Sequence, residues 1–208
     1  MPSESQLEQE RLIGRGLTSE VFGWGKDRVL KLNLAWVPVS TAQREFAVTC
    51  AVHGAGVNVP AVFELVQVGG RHGIVFERVH GPSMVSEVEK RPWSLFAAAR
   101  QLAELHARLH DFDAPPELPS QREQIESWID RAPDFSAAEK DVAHRNLARL
   151  PAGKCICHGD FHPANIILSA RGAMIIDWSR GTRGHALADE CLRSVFCGWR
   201  GIVRAWTC

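Results

Sequence analysis

Three oxygen-bearing side chains in the last third of this 208-residue chain have the types and spacing that phosphoryl transfer requires. Asp160 lies in a His-Gly-Asp turn, Asn165 follows five residues later, and Asp177 ends the apolar run Ala173, Met174, Ile175, Ile176. One carboxylate can orient and deprotonate an attacking hydroxyl. An amide oxygen and a second carboxylate are hard donors suited to magnesium, which neutralises phosphate charge. The turn Ser169-Ala170-Arg171-Gly172 separates two short apolar stretches and predicts a hairpin that returns Asp177 to the Asp160 loop. The same residues admit two other readings. One is a plain turn between core strands; the other is a metal-dependent hydrolase on His158, Asp160 and His162, for which His185 and Asp189 are the nearby extra ligands.

The elements that would position these groups follow from periodicity. RLIGRGLTSEVFGWGKDRVLKL alternates apolar residues, bends at Gly14 and Gly16, returns through Val21 and Phe22, and bends again at Gly25-Lys26-Asp27. Residues 28–32 then form a third strand carrying Lys31. A lysine flanked by Val29, Leu30, Leu32 and Leu34 calls for an anionic partner. Glu20 and Glu45 are the candidates. Glu45 falls in the first turns of a helix expected to open on a Ser40-Thr41-Ala42-Gln43 capping box, run to His53 and end at Gly54 and Gly56. Residues 61–68 and 73–79 are two further strands joined at Gly69-Gly70.

Beyond residue 80 the period changes to that of helices. Leu95, Ala98, Ala99, Leu102, Leu105 and Leu109 define an amphipathic helix over 94–110, with Ser94 as its cap. His106 and His110 share a face of it, but no neighbouring acid or cysteine completes a metal site, so they read as partly buried helix residues. Ser120-x-x-Glu123 and Ser136-x-x-Glu139 open two more helices that reach Arg131 and Arg149. Leu192, Val195, Phe196, Trp199, Ile202, Val203 and Trp206 recur at three and four residues, a terminal amphipathic helix that Gly198 and Gly201 each weaken by roughly 1 kcal/mol.

HGDFHPANIIL followed by IIDW resembles the catalytic loop and metal-binding segment of the aminoglycoside phosphotransferase and choline kinase group, small-molecule relatives of the protein kinases. Asp177-Trp178 stands where protein kinases carry Asp-Phe-Gly. The Gly14 and Gly16 pair, with Ser19 at the third glycine position, resembles their glycine-rich loop. The resemblance implies an α+β, protein kinase-like, two-lobed fold. Residues 1–79 would be a nucleotide-binding lobe, a small antiparallel β-sheet with one helix; residues 80–208 would be mainly helical and lack the last family helices. It further implies that Asp160 is the catalytic base and that Asn165 and Asp177 hold Mg2+. Lys31, held by Glu45, would grip the phosphates of ATP or GTP, with Gly14, Gly16 and Ser19 above the nucleotide. Glu77 and Val79 would line the hinge at the base, and His158 would be structural.

The implied reaction moves a γ-phosphoryl group to a hydroxyl of a small-molecule acceptor. In the family much of the acceptor pocket comes from helices after the Asp-Trp segment. A chain short of them suggests the alternative, a catalytically impaired nucleotide-binding module whose uncovered C-terminal apolar face favours self-association.

Composition excludes several other classes. Lys plus Arg equals Asp plus Glu at 24 each, and no basic patch is interleaved with stacking aromatics, which argues against a nucleic-acid partner. No apolar stretch is long enough to span a bilayer and MPSESQLEQE lacks a signal core, so the expected location is the cytoplasm with no membrane partner. The six cysteines lack zinc-knuckle spacing and read as free thiols.

Overall fold

The computed structural model describes residues 10–189, a mixed α+β arrangement in two compact units. Among the described residues, one unit holds 10–99 and 163–179 and the other holds 100–162 and 180–189.

The first unit is built on a five-stranded antiparallel sheet. Its strands are β1 (Leu12–Arg15), β2 (Ser19–Gly23), β3 (Arg28–Asn33), β4 (Val62–Val68) and β5 (Arg71–Glu77), in the order β1-β2-β3-β5-β4. Side chains alternate across a strand, so Leu30 and Leu32 enter a core with Val68 and Val75 while Lys31 between them takes the opposite face. The β4–β5 turn is Gly69-Gly70, with φ of 55° and 74°, the left-handed pair that a two-residue hairpin needs.

Helix α1 (Val39–Gly54) buries Ala42, Glu45, Val48, Thr49 and Val52, a single stripe at helical spacing. Its N-terminus differs from expectation. Pro38 is the N-cap, no side chain caps the helix, and Ser40 already lies inside the first turn, so no box forms at Ser40. The sheet unit also contains α2 (Met84–Lys90), where Ser83 Oγ accepts from the Ser86 amide, and the hairpin β7 (Ile166–Ser169) with β8 (Gly172–Ile175). That hairpin is tied to the chain after β5 by the Leu168 amide, which donates to Pro82 O at 2.9 Å. Gly81 permits the approach, since a Cβ there would stand 2.1 Å from Leu168 O.

Helix α3 (Leu95–His110) is preceded by a 3-10 turn, Pro92–Ser94, and the Ser94 hydroxyl donates to Arg91 O instead of capping. The second unit contains most of α3, then α4 (Gln121–Arg131), α5 (Ala137–Arg149) and the short antiparallel pair β6 (Cys155–Cys157) and β9 (Thr182–Gly184). Ser120 caps α4 and Ser136 caps α5, the latter with a reciprocal bond from the Ser136 amide to Glu139. Residues 186–189 are helical. The apolar repeat at 192–206 and its cysteines lie outside the described residues. Among the described residues no helix is long and apolar enough to cross a membrane.

Candidate active site

The sheet unit draws a lysine, two carboxylates and an amide from three places, β3, α1 and the ends of the β7–β8 hairpin. Lys31 Nζ on β3 donates to both oxygens of Glu45 on α1, at 2.7 and 2.9 Å, and to Oδ1 of Asp177 at 3.0 Å. Glu20, the other candidate partner, is taken instead by Arg15 and Arg71 at 2.7 and 2.8 Å. Burial works against the Lys31 ammonium, yet Glu45 and Asp177 outweigh it and raise its pKa above the ordinary lysine range. Burial pushes the Glu45 carboxyl up against the pull of Lys31, and the negative charge of Asp177 adds to the rise.

Asp177 is reached by a specific backbone path. Ile166 pairs with Ile175 in the β7–β8 hairpin, and the Ile176 amide donates to Asn165 O at 2.9 Å, so residues 165 and 177 end the hairpin side by side. Asp177 has φ of 62°, the one non-glycine among the described residues with positive φ, a sparsely populated conformation that concentrates at functional sites. Three contacts hold it there. The Trp178 indole is buried and donates to Ile175 O at 3.2 Å, Ser179 Oγ donates to Asp177 Oδ1 at 2.9 Å, and Arg44 Nε donates to Ser179 O at 3.2 Å. The Asp177 side chain remains 39% exposed. A carboxylate and an amide carbonyl at one end of a hairpin are the hard oxygen donors that magnesium prefers, so the donor chemistry fits that ion.

Gly14 lies in β1 and Gly16 in the turn to β2, where its amide donates to Ser19 O at 2.8 Å. Neither glycine has positive φ, and a Cβ at Gly14 would meet nothing within 4 Å. At both positions the chain is bare backbone in an ordinary conformation. Ser19 is buried at the start of β2. Glu77 ends β5, where its carboxylate accepts from the Ala61 amide and pairs with Arg171; Val79, half-buried, follows two residues on.

Asp160 belongs to the other unit, in a turn that is fixed from behind. The β6–β9 pair sets Cys157 opposite Thr182, and the chain after β9 delivers Asp189 to the turn. Asp189 Oδ2 accepts from the His158 amide at 3.0 Å, and Oδ1 accepts from the Gly159 amide at 2.7 Å. Its Oδ2 also meets Nε2 of His106 at 2.9 Å and Nε2 of His110 at 3.0 Å. The buried His158 ring takes the Asp160 amide on Nδ1 at 3.2 Å, which makes it part of the turn itself. His162 Nε2 lies 3.8 Å from Asp160 Oδ1. Periodicity could not find Asp189, because its histidine partners are 79 and 83 residues away and no local pattern marks such a pairing.

Two predictions arise here. Gly159 has φ of +76°, and a Cβ on it would stand 2.8 Å from Arg180 O. Gly159→Ala is therefore expected to cost about 1–3 kcal/mol and to pull the turn off Asp189, which urea melts and amide exchange at Gly159 would register. The second concerns acid. Burial pushes the Asp189 carboxyl up, but the imidazoles and the Gly159 amide outweigh it and hold it below the usual aspartate range. A depressed carboxyl stabilises the fold above its unfolded pKa of about 3.9, and that stabilisation is lost as pH falls toward the native value. Asp189→Asn should lower stability at neutral pH and flatten its dependence below about pH 4, as melts across that range would show.

Comparison with known proteins agrees with this architecture. Residues 11–199 match the Phosphotransferase enzyme family. Acyl-CoA dehydrogenase family member 11 of Gallus gallus is 30% identical over 181 residues, which covers 75% of this chain and 23% of that protein, so the chain spans about a quarter of that relative's length. A thermostable mutant of the aminoglycoside phosphotransferase APH(4)-Ia superposes with a TM-score of 0.58 at 15% identity, covering 94% of this chain and 80% of that one. The aminoglycoside-3'-phosphotransferase of type VIII superposes with a TM-score of 0.56 at 23% identity over 88% and 75% of the two chains. These likenesses establish the protein kinase-like fold, and the match over residues 11–199 establishes that the chain belongs to the Phosphotransferase enzyme family.

Proposed function

We propose that the chain moves the γ-phosphoryl group of ATP or GTP to a hydroxyl of a small molecule. The observation that carries this reading is the Lys31 ammonium held between Glu45 and Asp177, the latter 146 residues away in sequence. A phosphate-gripping cation and a metal-binding carboxylate must lie within reach of the same phosphates, and these two are in direct contact. Solved relatives of the same fold support the nucleotide: one was determined with AMP-PNP and hygromycin B, another with GDP and kanamycin.

In this assignment Lys31 binds phosphate oxygens, and Glu45 keeps its side chain extended toward them. Gly14, Gly16 and Ser19 present backbone to the nucleotide, with Glu77 and Val79 at the hinge. Asn165 and Asp177 would hold Mg2+, which would supply neutralisation of phosphate charge. Asp160 orients the acceptor hydroxyl and takes its proton. The Asp189 contacts with the His158 and Gly159 amides fix the backbone from which that carboxylate projects.

The test is ADP or GDP release by the full chain with magnesium against aminoglycosides, choline-like amino alcohols, homoserine and sugars. One acceptor class that stimulates release and gains a phosphate by mass would establish the reading. Uncoupled hydrolysis with no acceptor effect would favour the impaired nucleotide-binding module, and indifference to nucleotide would reject both.

A further inference from the structure

We propose that His106, His110 and Asp189 form a binding site for a divalent transition-metal ion of the zinc class, built from other residues and other donors than the oxygen pair Asn165 and Asp177. The two histidines are four apart on α3 and present Nε2 from one face of that helix. Asp189 supplies the acid that their own helix lacks. Both imidazole nitrogens lie on its Oδ2, at 2.9 and 3.0 Å, and the three donor atoms all fall within 4.8 Å of one another. A tetrahedral ion with bonds of about 2.0–2.1 Å places its donors about 3.3 Å apart, so this set is within a fraction of an ångström of two of the three spacings.

The rings are held in place before any ion arrives. His106 stacks on Phe161 with centroids 4.4 Å apart and 8° between planes, and it lies 4.4 Å from the His110 ring. His106, Phe161 and Asp189 are all buried. A ligand set locked by packing loses little freedom on binding. Coordination exchanges each Nε2–H···O hydrogen bond for an Nε2–metal bond. The Nε2 proton moves to Nδ1, which leaves the Nε2 lone pair for the ion and the Asp189 carboxylate as the anionic ligand. Oδ1 remains on the Gly159 amide as an outer hydrogen bond that orients the ligand. Two imidazoles and one carboxylate select zinc or cobalt over magnesium, which takes an all-oxygen shell.

The ion would draw on the oxygen that also accepts the His158 amide, so occupancy is felt in the backbone of the turn that carries Asp160. Cys155 and Cys157, with sulfurs 3.9 Å apart in the same unit, are the rival ligands that an experiment must separate.

The experiment uses the full chain, stripped with chelator and titrated with Co2+ in excess Mg2+. The expected result is one equivalent bound with d–d absorption and no thiolate-to-cobalt charge transfer. His106→Gln and His110→Gln should each weaken binding by more than the roughly 10–100-fold that loss of an outer partner brings. Cys155→Ser with Cys157→Ser should leave it unchanged. X-ray absorption of the zinc-loaded wild-type chain, which needs no variant to fold, should show a nitrogen and oxygen shell with the scattering of two imidazoles. A sulfur shell, no cobalt uptake in excess magnesium, or uptake unchanged in both histidine variants would overturn the proposal.

Discussion

Asp160→Asn is expected to bind nucleotide like the wild type while turnover falls by about 10²–10⁴, the usual share of a general base. Asp177→Ala is expected to lose metal-dependent turnover altogether, at any magnesium concentration tested. The difference follows from what each carboxylate touches. Asp160 projects from a turn whose backbone is held by Asp189 and whose amide is held by His158, so the asparagine keeps shape and hydrogen bonding and removes only basicity. Asp177 is different because Lys31 and Ser179 both converge on its Oδ1. Truncation there removes the carboxylate proposed to hold magnesium and releases the Lys31 ammonium from one of its two anchors. The hairpin survives, because the Asn165–Ile176 contact and the Ile166–Ile175 pairing are made by backbone. Product release with a responsive acceptor measures turnover, and a fluorescent nucleotide measures affinity. Equal loss of affinity in both variants would contradict the division of labour.

The parts of this arrangement that were legible in the sequence are those set by local pattern. Alternation placed Lys31 in a strand among apolar residues that call for an anionic partner, the helix signals placed Glu45 in the first turns of a helix, and Gly69-Gly70 marked a turn whose positive φ values only glycine adopts freely. The proximity of Asn165 and Asp177 was also legible, because the two residues flank one short hairpin that is contiguous in the chain. Choosing between Glu20 and Glu45 for Lys31 was a tertiary question, since both lie at plausible reach in sequence and only the packing of α1 on the sheet decides it. The role of His106 and His110 was hidden for the same reason. Read on their own helix they lack an acid, and the acid is supplied from beyond β9. The left-handed backbone of Asp177 was also invisible, because no glycine marks the position and the contacts that hold it, from Trp178, Ser179 and Arg44, are tertiary or lie after it.

Lys31→Met is expected to destabilise the fold by about 3–5 kcal/mol at neutral pH, a large part of the roughly 5–15 kcal/mol that holds a typical domain together. The loss does not come from the missing contact alone. Glu45 is only 3% exposed, and its carboxylate gives both oxygens to Lys31, so removal of the ammonium leaves a buried charge with Asp177 as its neighbour. That predicts a characteristic dependence on pH. Burial already pushes the Glu45 carboxyl up, and without the pull of Lys31 it rises further. A carboxyl that binds its proton more tightly folded than unfolded stabilises the fold in acid, and stability is lost as pH climbs from the ordinary glutamate value of about 4.3 through the raised one. The deficit of the variant should therefore be smallest near that lower value and reach its full size at neutral pH. It should then stay level until the lysine of the wild type begins to titrate. The Lys31 pKa is raised, so its stabilisation is complete below about 10.4 and is lost only as pH rises through the higher native value. Adding Glu45→Gln to Lys31→Met removes the stranded charge and should recover most of the loss. Urea melts of both variants at mildly acidic and neutral pH are the measurement. A deficit of the same size at both values, or one that the second substitution leaves untouched, would show that the lysine acts through packing of its stem and not through its charge.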